Sequence, residues 1–157
     1  MPIQDFKINT GRGVAGEMYG QAVTNSQRLT FNAEAAMDQY GLAVVQGSKA
    51  NSIKVGQDGG RILGITMREN KLESNKRPGD GTILIPALQP LAVMLDGPVL
   101  VMAKTAITDA KVGVNSKGEF GGVGGEFTEV TNVRALEYPI AAGDVCAVMV
   151  NVFPVKA

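Results

Sequence analysis

The chain has 157 residues, and its 15 lysines and arginines balance 15 aspartates and glutamates, so its formal net charge is zero. It contains no histidine and a single cysteine, Cys146, which excludes histidine-dependent catalytic triads, an intrachain disulfide and a cysteine-rich zinc site. The neutral charge argues against nucleic-acid binding, and the lack of a basic amphipathic helix argues against a membrane-surface role. We therefore expect no enzyme activity, no cofactor, no metal, and neither a nucleic acid nor a membrane as partner.

The first 31 residues are predicted to form an extended N-terminal arm (1–31), separate from a domain that spans residues 32–157. This stretch is polar and rich in glycine, and its apolar residues never sustain a period that would build a core. It is either a loose terminus or an arm that becomes ordered against a partner. In the second case the anchors are Phe6, Ile8, Val14, Met18 and Tyr19. The glycine spacing in residues 11–16 matches a dinucleotide-binding pattern, but no helix pattern follows it.

Residues 32–41 predict the one short helix of the chain, because Asn32 can cap its start and Gly41 can end it. No other window supports a helix of ordinary length.

From residue 42 onward, short apolar segments alternate with turn residues, as is typical of an all-β protein. The sequence predicts strands at residues 42–46, 52–55, 62–67, 82–85, 91–95, 99–103, 111–114, 127–130, 133–138 and 145–152. Residues 96–98 and 115–118 are predicted to be turns. The expected fold is a β-sandwich or β-barrel, jelly-roll-like or tulip-like. Many strands are apolar on both faces, which indicates a closed barrel or a face covered by another subunit.

The remaining motifs are better explained as turns and core residues than as catalytic or ligand-binding sites. The glycine-rich stretch 118–125 lacks the Lys-Ser/Thr of a phosphate-binding loop, so we interpret it as a hairpin tip. Five aspartates lie next to glycine or in predicted turns, where their side chains bond to nearby backbone. They are Asp58, Asp80, Asp96, Asp109 and Asp144. Cys146 lies in an apolar run and is interpreted as a small buried side chain.

Taken in order, several segments resemble the structural cement proteins of tailed phages. The resemblance is carried by residues 13–17, 24–26, 35–47, 61–66, 93–101, 110–114, 118–120 and 141–150. Each segment alone is a weak signal of glycine and apolar residues, but together they cover nearly the whole chain. The sequence departs from the family pattern at Lys111-Val112-Gly113, where a Gly-Asp turn is expected.

The resemblance implies a decoration protein of the virion, made in the host cytoplasm and bound to the outer surface of the capsid. Its partners would be the major capsid protein and further copies of itself, as a homodimer or homotrimer at local symmetry axes. The arm would lie across neighbouring coat subunits. The capsid-contact residues expected from this are Phe6, Ile8, Arg12, Val14, Glu17, Met18, Tyr19 and Arg28.

Two alternatives stay open at this point. The chain could be another all-β virion protein, from the tail or from head completion. Less favoured is a small β-barrel that binds a ligand or hydrolyses a substrate, which would need a pocket with converging carboxylates.

Overall fold

The computed structural model of this chain describes residues 13–20, 26–69 and 83–151. These residues form nine strands and no helix, which confirms the predicted all-β fold. The strands are β1 (Gln27–Ala33), β2 (Ala43–Gln46), β3 (Ser52–Val55), β4 (Gly64–Thr66), β5 (Pro90–Met102), β6 (Lys111–Val114), β7 (Phe120–Gly121), β8 (Thr128–Ala135) and β9 (Val145–Asn151). No helix in this part of the chain is long and apolar enough to cross a membrane.

Five strands close into a barrel. They are hydrogen-bonded in the order β1-β3-β2-β4-β5, and β5 pairs back onto β1, so the ring closes, with β1 joined to β3 only at Asn32 and Ala33. The β1–β3 pair is parallel, and the other pairs of the ring are antiparallel. The sheet continues beyond β5 through β9, β8, β6 and β7.

Strand β5 belongs to both parts of the molecule, because its first half pairs with β1 and its second half pairs with β9. Leu91, Val93 and Leu95 face a core inside the barrel. Met94, Val99 and Val101 face a second core, which packs against the extended part of the sheet. Residues 95 and 99 would share one face of a regular strand. The side chains of β5 therefore switch from one core to the other around Gly97. Gly97 has a φ of +143°, a backbone conformation that glycine adopts readily.

The predicted turn at residues 96–98 is wrong, because β5 runs through it without interruption. Strand β9 pairs with every residue from Asp96 to Met102, and this ladder holds the Asp-Gly-Pro sequence extended. In the same way, the predicted strands 127–130 and 133–138 are one strand, β8.

The predicted helix at residues 32–41 is also wrong. Asn32 and Ala33 are the last residues of β1, and the chain then bends without forming helical turns. Met37 instead pairs with Ile85 through two backbone hydrogen bonds of 2.9 Å. Tyr40 is 3% exposed and belongs to the barrel core. Burial of these side chains therefore outweighs the local preference of a segment too short to hold a helix alone.

Candidate functional site

Residues 13–20 form a segment that is fixed on strand β5, and we call it the docked segment. Its Gly16 N–H donates to the Leu100 carbonyl at 2.8 Å, and the Leu100 N–H donates to the Glu17 carbonyl at 2.8 Å. The Tyr19 N–H donates to the Pro98 carbonyl at 3.2 Å. These bonds add a short antiparallel stretch to the second half of β5, and Leu100 is left only 3% exposed.

The docked segment also contacts the barrel, at a point where only glycine fits. Gly16 has a φ of +89°, and a Cβ there would stand 2.9 Å from the Arg68 backbone nitrogen and 2.7 Å from Tyr40 Cβ. The Arg68 N–H donates to the Gly16 carbonyl at 2.9 Å, and the Arg68 guanidinium pairs with Glu17 at 3.2 Å. The segment therefore ties the barrel to the extended sheet.

The structure places five of the eight expected contact residues. Val14 and Tyr19 are 43% and 38% exposed, and Arg28 is exposed on β1. Glu17 and Met18 turn toward the protein itself, since Glu17 pairs with Arg68 and Met18 packs on the second core. The other three, Phe6, Ile8 and Arg12, lie outside the described residues.

The expected arm, residues 1–31, is thus partly integrated into the fold. The docked segment lies on β5, and residues 27–31 belong to β1 of the barrel. A capsid contact by residues of this stretch stays a prediction.

One side of β1 has no strand partner along residues 27–31 among the described part of the chain. The Asn32 and Glu34 N–H groups bond toward β3, whereas the Ala33 N–H bonds toward β5. Since bonding direction alternates along a strand, the backbone groups of Arg28 and Thr30 point to the β3 side. Strand β3, however, pairs only with the last two residues of β1.

A strained turn stands beside the barrel at residues 86–89. The Gln89 N–H donates to the Pro86 carbonyl at 3.2 Å, and Leu88 at the third position has a φ of +67°. This conformation suits glycine and costs a residue with a side chain about 1–2 kcal/mol. Leu88 is also 76% exposed, more than any other large hydrophobic side chain that the structure describes, and Leu84 is 64% exposed.

Leu88 forms one wall of a cleft of about 490 Å³ whose other walls are mostly polar. The lining residues are Asn32, Ala33, Glu34, Ser48, Lys49, Asn51, Ser52 and Leu88.

Glu34 holds the polar side of this cleft in place. It accepts hydrogen bonds from the Ser48 hydroxyl at 2.6 Å, from the Ser48 backbone N–H, and from the Ser52 hydroxyl at 2.8 Å. These bonds, led by the Ser48 hydroxyl, lower the pKa of Glu34 to about 2. The carboxylate therefore stays charged at neutral pH and anchors the β2–β3 connection.

Among the described residues, no group of three or more potential metal ligands occurs, and Cys146 is fully buried. The pKa of Glu119 is lowered, chiefly by the Asn115 side-chain amide and then by Lys104, whose ammonium lies 3.1 Å away. Because Asn115 also caps its own turn by accepting from the Lys117 and Glu119 N–H groups, this network shapes a turn.

Sequence reasoning missed both the strained turn and the open side of β1. No local signal marked the turn at residues 86–89, because its third position holds leucine where a type II turn calls for glycine. The edge of β1 carried no local signal, because strand order is set by contacts far apart in the chain.

The family model described as "Structural cement protein (E217 gp24/Pam3 gp6)" matches residues 1–151. A chain from a structure titled "The capsid of Myoviridae Phage XM1" shares the fold with a TM-score of 0.65 and 20% identity, over 92% of this chain and 93% of that one. A second, from "head fiber gp8.5 N base in bacteriophage phi29", has a TM-score of 0.45 and 11% identity, over 84% and 99%. The curated proteins gave no significant match.

Proposed function

This chain belongs to the family of structural cement proteins, and from that membership we propose that it decorates the outer surface of a phage capsid. In this proposal it binds the assembled shell of the major capsid protein and stabilises it. The observation that carries the proposal is the family match, which spans the arm and the barrel alike. The family is a structural one, and we propose no catalytic activity for the chain.

The docked segment supports a capsid-binding role for the residues that precede it. Because Gly16, Glu17 and Tyr19 are hydrogen-bonded to β5, the first twelve residues start from a fixed point on the domain. Phe6, Ile8 and Arg12 would then contact the coat protein, while exposed Val14 and Tyr19 extend the same surface. Arg28 lies on the neighbouring strand and can add a charged contact.

In this arrangement Glu17 and Met18 hold the docked segment in position rather than contact the shell directly. Glu17 does so through Arg68 and Met18 through the second core. A pull on the arm is therefore transmitted to both parts of the fold. Copies that associate with one another add modest contacts into strong retention, since binding of one copy raises the effective concentration of the copy linked to it.

The open side of β1 supports self-association through a two-fold pairing. With Leu29 at the centre, Arg28 of one copy would lie opposite Thr30 of the second copy. Both residues point their backbone groups outward, so the two strands would exchange hydrogen bonds at both positions. Leu29 is 57% exposed and would meet Leu29 of the second copy.

The proposal is tested by co-sedimentation of the purified protein with empty shells that lack it. We expect saturable binding by the wild type and binding weakened by about tenfold or more for the F6S/I8S variant, which loses two apolar anchors. The control is V123S, because Val123 is 47% exposed on the glycine-rich connection far along the chain from the arm.

Two results would contradict the proposal at different levels. Wild-type binding that F6S/I8S retains in full would remove the arm from the capsid contact. A wild-type protein that does not bind shells at all would overturn capsid decoration itself.

A further inference from the structure

Leu88 combines two features that are each unfavourable for the folded protein on its own. Its backbone has a φ of +67°, which glycine would adopt without strain. Its side chain is 76% exposed, so it adds little to either core. A turn that keeps a leucine here is strained and presents an apolar side chain to solvent, and strain of this kind is typical of functional positions.

The surroundings of Leu88 are rigid. Its N–H donates to the Ala33 carbonyl of β1 at 2.7 Å, and neighbouring Ile85 is fully buried in the barrel core. The cleft beside it is fixed by the three hydrogen bonds that Glu34 accepts. A side chain held on a rigid support binds with little loss of conformational entropy.

We propose that Leu88 is a second anchor on the capsid shell, inserting into an apolar socket of the coat protein. This inference rests on the proposed capsid decoration and adds a contact point to it. The polar cleft next to Leu88, with Lys49 and Asn51, would form the rim of the contact.

The small apolar area that Leu88 offers favours the shell over a second copy as occupant. A buried leucine side chain accounts for on the order of 100 Å² of apolar surface. A stable dimer buries about 800 Å² on each partner. A contact this small holds only a protein that is already tethered elsewhere, as the arm would tether it to the shell. A second copy paired at the open side of β1 would lie on the β3 side of that strand, whereas Leu88 bonds to Ala33 on the β5 side.

Two substitutions distinguish the effect of the Leu88 side chain from the effect of its strained backbone. L88A removes the side chain and keeps a residue that is strained at positive φ, whereas L88G removes both. We expect both variants to bind purified shells about tenfold more weakly than the wild type in quantitative co-sedimentation. L88G should also unfold at a higher urea concentration than L88A, because glycine relieves the strained φ. V123A, which shortens another exposed side chain, should bind as the wild type does.

The results of these experiments either support or overturn the role proposed for Leu88. Leu88 variants that bind shells with wild-type affinity would overturn it while leaving capsid decoration intact. Variants that keep shell affinity but lose self-association in analytical ultracentrifugation would assign the patch to a second copy and overturn it as well. A wild type that binds no shells would remove the proposed function on which it rests.

Discussion

Alanine at Gly16 is expected to loosen the docked segment from the barrel. A side chain at a φ of +89° costs about 1–2 kcal/mol in backbone strain. The added Cβ would also stand 2.9 Å from the Arg68 nitrogen, and such overpacking costs about 1–3 kcal/mol. The sum gives a loss of about 2–5 kcal/mol in the free energy of unfolding, unless the segment detaches first.

Gly143 provides a matched control, because it has the same φ of +89° and no heavy atom within 4 Å of an added Cβ. G143A therefore carries the strain alone, about 1–2 kcal/mol. The difference between the two variants, about 1–3 kcal/mol, measures the packing of the docked segment against the barrel.

The assay is urea unfolding followed by circular dichroism, since the chain contains no tryptophan for fluorescence. We expect G16A to unfold at a clearly lower urea concentration than G143A. Limited proteolysis should also cut G16A faster within residues 13–20 if the segment detaches. Equal losses of stability in the two variants would refute the packing of Gly16 against Arg68 and Tyr40.

Two further predictions concern the cleft and the edge of β1. The pKa of Glu34 is lowered in the fold to about 2 from 4.5, so its stabilising effect is present above pH 4.5 and is lost as the pH falls toward 2. The urea concentration at the unfolding midpoint should therefore fall less over this pH range in E34Q than in the wild type. E126Q, which changes an exposed glutamate, is the control. Equal acid sensitivity of E34Q and the wild type would contradict the prediction. Proline at Thr30 removes an N–H that points outward, so the monomer should stay folded while self-association, measured by analytical ultracentrifugation, is abolished. A T30P protein that associates like the wild type would exclude the β1 pairing.

Local sequence patterns predicted most strands, because each needs only a short apolar run between turn residues. Residues 43–46, 52–55 and 111–114 lie in β2, β3 and β6 almost as expected. The pattern failed at Asp96-Gly97-Pro98, where a local turn signal competes with pairing to β9, whose partner residues are Met149, Val150 and Asn151, distant in the sequence. The helix expected at 32–41 failed in the same way, since burial of Met37 and Tyr40 decides that segment.

The candidate surfaces were less predictable than the fold. The isolated apolar residues of the arm gave no sign that Gly16 and Met18 pack on the domain, because their partners, Arg68 and Val99, are distant in the sequence. Leu88 gave no sign of its positive φ, which follows from the turn that joins Ile85 in the barrel core to β5. Both features depend on how the barrel closes, and β1 closes it by pairing with β3 and β5 at once.

The central claim is that the protein covers the outside of the capsid. Gold-labelled protein, added to purified particles that lack it and imaged by electron microscopy, tests this claim directly. The account predicts label over the whole outer surface of the head. Label confined to the tail or to one vertex, or no label on intact particles, would contradict it.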